Sequence, residues 1–518
     1  MRSEPGLNPL LIVIIAPLAG ALVTLSLAPF DLWPAGIISC ALYAWLLSTC
    51  SPRQALWRGF LYGCGMFGTG VSWIFVSIHV HGNANVPLAA ALTALFCAGI
   101  ALFQALFAWC YARHIRPLPG GMLVGFPALW VLLEWTRGWF LTGFPWLYLG
   151  YAHVETSISG WGPITGVFGL SFICAISGTC LFLAWRSRKP MACTLYAVIL
   201  ATLWGGGEIL KPTQWVARAS EEPLRVALIQ PNVAQQNKWD RRWYRPILSQ
   251  LYEATGPVMG ADIVVWPEAA VPNYFQRAGD FLEPMAKRAS AANTTLITGI
   301  PWRPGDGDKY YNSMTALGQG TGVYLKRRLV PFGEYVPLEG LLRGMIDFFD
   351  LPMSAFSAGP EEQAPLRAGT YRLAPYICYE IVYGGMVAKG ASEADLLITI
   401  SNDTWFGDSI GPWQHLQIAQ MRGRETGRYV LRGTNNGITA IIDHQGRIVD
   451  RTEQFEATTL VGEAEVMLGS TPFASFGNLP ILLACFFSLL LMWLMHIAFW
   501  RDEWSPSNRQ PGLQFGFA

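Results

Sequence analysis

Charge is what this chain has least of: 14% of its 518 residues are Asp, Glu, Lys or Arg, against 52% hydrophobic, and the mean hydropathy is +0.31. Soluble domains carry roughly 25% charged residues, so a wholly water-solvated protein is excluded. The net charge of +1 offers no basic surplus for nucleic acid. The deficit is local. Nine of the 36 Lys and Arg and five of the 35 Asp and Glu lie in residues 1–210, so the remainder of the chain is ordinarily polar. Cysteine is scarce in that polar part. Nine of the ten cysteines lie in or at the ends of long apolar segments, which leaves Cys378 without a disulfide partner in its own domain. A lone thiol there is either core filler or a reactive group.

What the first 210 residues do contain is apolar runs. Segments near 9–28, 34–50, 59–78, 87–110, 120–141, 164–185 and 191–207, and another at 479–499, are each long enough to cross roughly 30 Å of hydrocarbon. The first follows Arg2 as a signal peptide would, but it exceeds a usual apolar core and further spans follow, so it reads as an uncleaved span. Arg53 and Arg58, Arg113 and Arg116, Arg186, Arg188 and Lys189, and Arg501 fall in alternate loops, whereas Phe30–Trp33 and His79–Pro87 hold no Lys or Arg. The positive-inside rule then puts both termini in the cytoplasm and residues 211–478 on the opposite face, between seven spans and an eighth at 479–500, with 501–518 a cytoplasmic tail. Glu134 and Arg137, one helical step apart near the end of span five, read as a pair that neutralises itself, and Gly143-Phe-Pro-Trp146 as an interfacial anchor.

Residues 225–466 alternate short β-rich runs with helical stretches and contain no internal repeat, which predicts one large α/β domain. Three runs end in reactive side chains. Ile263-Val-Val-Trp-Pro-Glu268 ends in a carboxylate, Tyr324-Leu-Lys326 in an ammonium with Glu334 eight residues on, and Leu373–Cys378 in a thiol followed by Tyr379 and Glu380. Active sites of open α/β sheets collect outside the carboxyl ends of strands. A thiol is mostly protonated at neutral pH and needs a base, which Glu268 can supply; Lys326 and the Tyr379 N–H can hold an oxyanion, and Glu334 can orient Lys326. A Cys–His pair is the catalytic rival, since His415 and His444 share the domain, and spacing alone does not choose.

The words around these residues do choose. Trp-Pro-Glu268, Val-Pro-Phe-Gly-Glu334-Tyr, Ile-Cys378-Tyr-Glu and Ser401-Asn-Asp-Thr-Trp-Phe-Gly407 together resemble the nitrilase superfamily, whose Glu–Lys–Cys set falls on Glu268, Lys326 and Cys378. With Thr142-Gly-Phe-Pro-Trp146, Leu351-Pro-Met-Ser and Gly411-Pro-Trp-Gln-His415, the whole chain is similar to the membrane-bound branch of that superfamily, the bacterial apolipoprotein N-acyltransferases. The resemblance implies a polytopic helical domain of eight spans joined to an αββα sandwich on the periplasmic face of the inner membrane. It implies a monomer that needs neither metal nor organic cofactor and moves the sn-1 acyl chain of phosphatidylethanolamine, through a Cys378 thioester, to the α-amino group of a diacylglyceryl cysteine on an apolipoprotein. A membrane-tethered amidase is the rival activity. Residues 341–357 are apolar for a loop, and Phe348, Phe349 and Phe356, with Trp239 elsewhere, are expected to form a lid or touch lipid.

Overall fold

Every one of the eight apolar segments is helical, but they are not eight equal spans. The computed structural model describes residues 8–305, 309–335 and 355–503. Among these, Pro9–Ser26, Val86–Ile115, Ser157–Ser187, Pro190–Leu210 and Leu479–Ala498 are long and apolar enough to cross a bilayer, and Pro52–Gly70 with Ile74–His81 makes a sixth if the two, bent by 62°, count as one. Pro34–Leu47 has only 14 residues, about 21 Å at 1.5 Å per residue, and is too short alone. Hydropathy could not foresee this, because it registers apolar length and not where turns such as Val71–Trp73 cut a helix. We label the helices α1 (Pro9–Ser26), α2 (Pro34–Leu47), α3 (Pro52–Gly70), α4 (Val86–Cys110), α5 (Phe126–Arg137), α6 (Gly162–Ser187) and α7 (Pro190–Leu210). Small residues let them close up: a Cβ on Gly65 of α3 would lie 1.9 Å from the Pro17 carbonyl oxygen of α1, so only glycine permits that approach. Arginines read above as topology signals also cap helix ends. Arg116 donates to the carbonyls of Leu47 and Cys50, at 2.8 and 2.7 Å, where α2 stops.

Glu134 and Arg137 do not close on each other as expected. Glu134 accepts from the Trp130 indole at 2.9 Å and the Leu149 N–H at 3.0 Å, and Arg137 donates to the carbonyls of Phe144 and Trp146. Both side chains are buried, and buried charge is stable only where such donors and acceptors are supplied. The Gly143-Phe-Pro-Trp146 segment is accordingly no surface anchor. It is pinned inward, with Trp146 buried.

Among the described residues the polar part holds two large sheets and a small one that pairs Val216–Arg218 with Met467–Gly469. The first has Thr458–Ala464 at one edge, followed in spatial order by strands β1 (Leu224–Gln230), β2 (Ile263–Val265), β3 (Thr295–Trp302), β4 (Tyr311–Gly318) and β5 (Val323–Leu325), and the second is centred on β6 (Tyr371–Ile377), β7 (Leu396–Ser401), β8 (Val430–Thr434) and β9 (Ala440–Ile442). Strands β1, β2 and β3 are parallel, as are β6, β7 and β8. Side chains alternate along each strand, and so do their partners. Val226, Leu228, Ile263 and Val265 of the first sheet share one buried cluster with Leu373, Ile377, Ile398 and Leu431 of the second. The intervening Ala227, Ile229 and Val264 pack instead with Ile247 and Leu251 of α8 (Tyr244–Thr255) and Leu282 and Met285 of α9 (Gly279–Ala291). The far face of the second sheet, through Tyr376 and Leu397, meets α10 (Gly384–Ala391) and α11 (Gly411–Thr426) in a cluster continuous with the helical bundle. At roughly 25 cal/mol per Å², this shared apolar surface is what fixes the sheet domain on the bundle. The chain then re-enters the bundle as α12 (Leu479–Glu503).

Candidate active site

Strand β6 ends at Ile377, and the chain turns sharply there because Cys378 adopts φ +53°. A non-glycine residue in the left-handed region stores strain and marks a backbone held by its surroundings. The holding group is Glu380. Its buried carboxylate accepts from the N–H of Ile377 at 2.9 Å, of Arg327 at 2.7 Å and of Arg328 at 3.1 Å, and from the Tyr324 hydroxyl at 2.9 Å. Glu380 therefore staples the turn that carries Cys378 to the strand end that carries Lys326. Burial raises its pKa, against those donors.

Lys326 leaves β5 into the interior, where Glu334 flanks it at 2.8 Å and Glu268 at 3.6 Å. Burial alone would discharge the ammonium, but the two carboxylates outweigh it and lift its pKa above the ordinary lysine value. Glu268 follows β2 through Pro267. Its Oε1 accepts from Asn312 Nδ2 at 2.6 Å and its Oε2 from the Asn402 N–H at 2.8 Å, just past β7. Asn312 also donates to Glu334 at 2.9 Å, so one amide spaces the two carboxylates. Burial and the Glu268 carboxylate push the Cys378 thiol well above its usual range, with Lys326 opposing. Both effects favour the neutral thiol over the thiolate.

The structure brings Glu268, Lys326, Cys378, Glu334 and Glu380 together at the carboxyl ends of β2, β5 and β6. Tyr379 faces the bundle: its hydroxyl donates to the Gly143 carbonyl at 3.1 Å and its ring stacks on Trp146 at 6.4 Å. Tyr383 adds a bond to the Thr142 carbonyl at 2.9 Å. Trp239 is exposed beside the buried Lys238. Phe356, expected in a lid, is instead buried against Tyr310, with ring centroids 5.0 Å apart, because its N–H is tied to the Glu334 carbonyl at 2.9 Å. Phe348 and Phe349 lie outside the described residues. Of the histidines, His444 sits by Tyr429 and His415 lies under the turn against the Cys378 carbonyl. Asn312 and Lys238 were missed by sequence reading, since each meets Glu268 only through the fold.

The carbon-nitrogen hydrolase family model matches residues 225–472, and that of the apolipoprotein N-acyltransferase N-terminal domain matches residues 19–180. An apolipoprotein N-acyltransferase of Pseudomonas paraeruginosa is 48% identical over 488 residues, 93% of this chain and 95% of that protein. The chain belongs to the apolipoprotein N-acyltransferase family. Its likeness to that family persists at greater distance, for the Coxiella burnetii apolipoprotein N-acyltransferase is 40% identical over 93% of this chain and 99% of its own. Among solved structures, Saccharomyces cerevisiae Nit3 of the nitrilase superfamily aligns with 49% of this chain and 92% of its own, at 16% identity and TM-score 0.36. As a member of this family the chain is an acyltransferase of lipoprotein biosynthesis, with its nitrilase-type domain inserted between apolar helices.

Proposed function

We propose that the chain transfers a fatty acyl group from a phospholipid, through a thioester on Cys378, to the α-amino group of the diacylglyceryl cysteine of an apolipoprotein. The observation that carries this reading is a thiol on a strained turn in one site with a carboxylate and a buried lysine 3.6 Å apart, docked through Tyr379 on the apolar bundle. In the first step Glu268 takes the thiol proton as sulfur attacks the ester carbonyl. Lys326 and the Tyr379 N–H stabilise the oxyanion, and the lysophospholipid oxygen leaves with the proton from Glu268. In the second step the amine attacks the thioester, Glu268 accepts its proton, and the cysteine sulfur departs and recovers it.

The acyl chain explains the bundle. Exposing about fifteen methylenes to water costs on the order of 12 kcal/mol at roughly 0.8 kcal/mol each, so the thiol must work where lipid already is. A soluble small-amide substrate has no such need, and the amidase reading is not favoured. The arginine-bearing loops support placing them in the cytoplasm, the sheet domain in the periplasm as an αββα sandwich, and the helices, including the short α2, across the inner membrane. Phosphatidylethanolamine, sn-1 position, is the donor we assign.

Intact mass spectrometry tests the reading. Protein purified with phospholipid should carry a fatty-acyl increment on Cys378, and a diacylglyceryl peptide with a free N-terminus should remove it. A wild-type protein that turns over while never carrying the increment would exclude the thioester route.

A further inference from the structure

Lys238 is a lysine in a place where lysines are rarely found. It is 2% exposed, ends the short helical turn Gln235–Lys238, and donates from Nζ to the main-chain carbonyl of Glu268 at 2.9 Å. The carbonyl it holds belongs to the peptide that leads into Ala269, a non-glycine residue at φ +47°. That peptide is strained, and a charge-assisted hydrogen bond is the stronger kind available to restrain it. The same helical turn is tied down a second time, because Gln235 Oε1 accepts from Asn402 Nδ2 at 2.8 Å while the Asn402 N–H donates to the Glu268 carboxylate. Glu268 is thus gripped by its carboxylate from the front and by its carbonyl from behind.

We propose that Lys238 is a positioning residue for the acyl-loading step: its ammonium fixes the Glu268 peptide and so sets where the Glu268 carboxylate meets the thiol. This rests on the reading of Glu268 as the base. Burial pushes the Lys238 ammonium down to about 8, and the Glu268 carboxylate opposes that fall, so the side chain is charged at neutral pH. Glu268 is the charged group that faces it; Asp240 and Arg242, two and four residues on, are paired with each other at the surface. Lys326 acts on Glu268 from the opposite side and does not replace it, since Lys326 is shared with Glu334.

The test is single-turnover thioester formation on Cys378 in detergent–phospholipid micelles, measured with full-length Lys238→Met, Lys238→Gln and Lys238→Arg proteins beside Glu268→Gln, with alkylation of Cys378 by a small soluble thiol reagent as the control. Misplacing a reacting group by a fraction of an ångström to an ångström can cost about ten- to a hundredfold in rate, so the maximal loading rate should fall by about tenfold in Lys238→Met and Lys238→Gln, with the apparent KM for phospholipid and the alkylation rate little changed. Lys238→Arg, which keeps a charged donor for the Glu268 carbonyl, should restore most of the loading. Should Lys238→Met not fold, Lys238→Gln, whose amide ends one bond short of the ammonium, decides alone. Wild-type loading in a folded Met or Gln protein, or a loss that alkylation shares in full, overturns the proposal and leaves Lys238 a structural prop. Near wild-type loading by Glu268→Gln would instead remove the base assignment itself, whatever the Lys238 variants do.

Discussion

The imidazole of His415 lies against the carbonyl oxygen of Cys378, with Nε2 at 3.2 Å, and under the turn that presents the thiol. An acceptor at that distance requires Nε2 to carry the proton, while Nδ1 lies between Asp403 Oδ1 at 3.1 Å and the Arg432 guanidinium at 3.3 Å. Asp403 stands behind, bonded to Ser401 at 2.5 Å and paired with Arg432. Burial and the Arg432 charge hold the imidazole below its ordinary pKa against the pull of Asp403, so it is neutral at pH 7. Both nitrogens are occupied by protein partners, and we propose on that ground that His415 supports the backbone of the turn and is not the base.

His415→Ala should therefore cost roughly 1–3 kcal/mol of stability, the penalty for unpaired buried groups, and slow loading modestly while leaving its pH profile in place. Glu268→Gln should lose about two to four orders of magnitude in loading with the fold intact, the usual worth of a positioned base. Thermal melts and single-turnover acylation separate the two; a shifted acid limb in the His415 variant would return histidine to the chemistry.

Lys326→Met should cost about 3–4 kcal/mol in the acylation barrier, the scale of one lost oxyanion donor. It should also leave Glu334 and Glu268 facing each other without the cation that now stands between them, so its stability should fall more at pH 8 than at pH 5. Equal loss at both values would mean that the two carboxylates do not share the field of Lys326.

How much of this was legible follows from where each partner sits in the chain. Glu268, Lys326 and Cys378 could be found because each closes an apolar run, and a strand that ends in a polar side chain exposes it at the sheet edge. Asn312 was not legible. It is an ordinary polar residue within β4, 44 positions from Glu268, and only the sheet register sets its amide between two carboxylates. Strand β8 was also missed, since Val430–Thr434 contains Arg432 and is too polar to read as core. Glu134 and Arg137 looked self-sufficient at one helical step, yet the loop they anchor competes better for both. Spacing along a helix states which groups can meet and leaves open which better partner the fold supplies.

Gly299 on β3 makes a prediction that sequence alone would not. A Cβ there would lie 2.7 Å from Glu268 Cα and 2.5 Å from the Pro267 carbonyl oxygen, both backbone atoms that cannot rotate away. Gly299→Ala should push the Glu268 loop outward by a fraction of an ångström to an ångström, and misplacement on that scale can cost about 10²-fold in rate. Alkylation of Cys378 by a small soluble thiol reagent should change far less. Parallel loss of both would show that the sheet, and not the base alone, had been disturbed.

The topology is open to a direct check. A phosphatase that needs export, fused after Thr458, should be active, and one fused after Arg188 should be silent. The reverse pattern would put the sheet domain on the cytoplasmic side and remove the lipoprotein substrate.

The contact between bundle and sheet domain predicts a pH dependence of stability. Gly166 at φ +63° kinks α6 and frees the Val167 N–H, which donates to Glu425 of α11 at 2.7 Å; the other Glu425 oxygen lies 3.1 Å from Arg422, and both side chains are fully buried. Burial raises the Glu425 carboxyl to about 7, against Arg422 and the Val167 N–H. An acid whose pKa is higher folded than unfolded binds its proton more tightly in the fold, so this contribution to stability is full below the unfolded value near 4.5 and disappears as pH rises through about 7. At 1.36 kcal/mol per pKa unit the loss is roughly 3 kcal/mol at most. The melting temperature of wild-type protein in detergent should fall from pH 5 to pH 8, and the difference between wild type and Glu425→Gln, which isolates this one group from the other titrating residues, should shift in favour of the variant over the same window. If the difference stays constant, the carboxylate is ionised throughout and its pairing with Arg422 outweighs its burial.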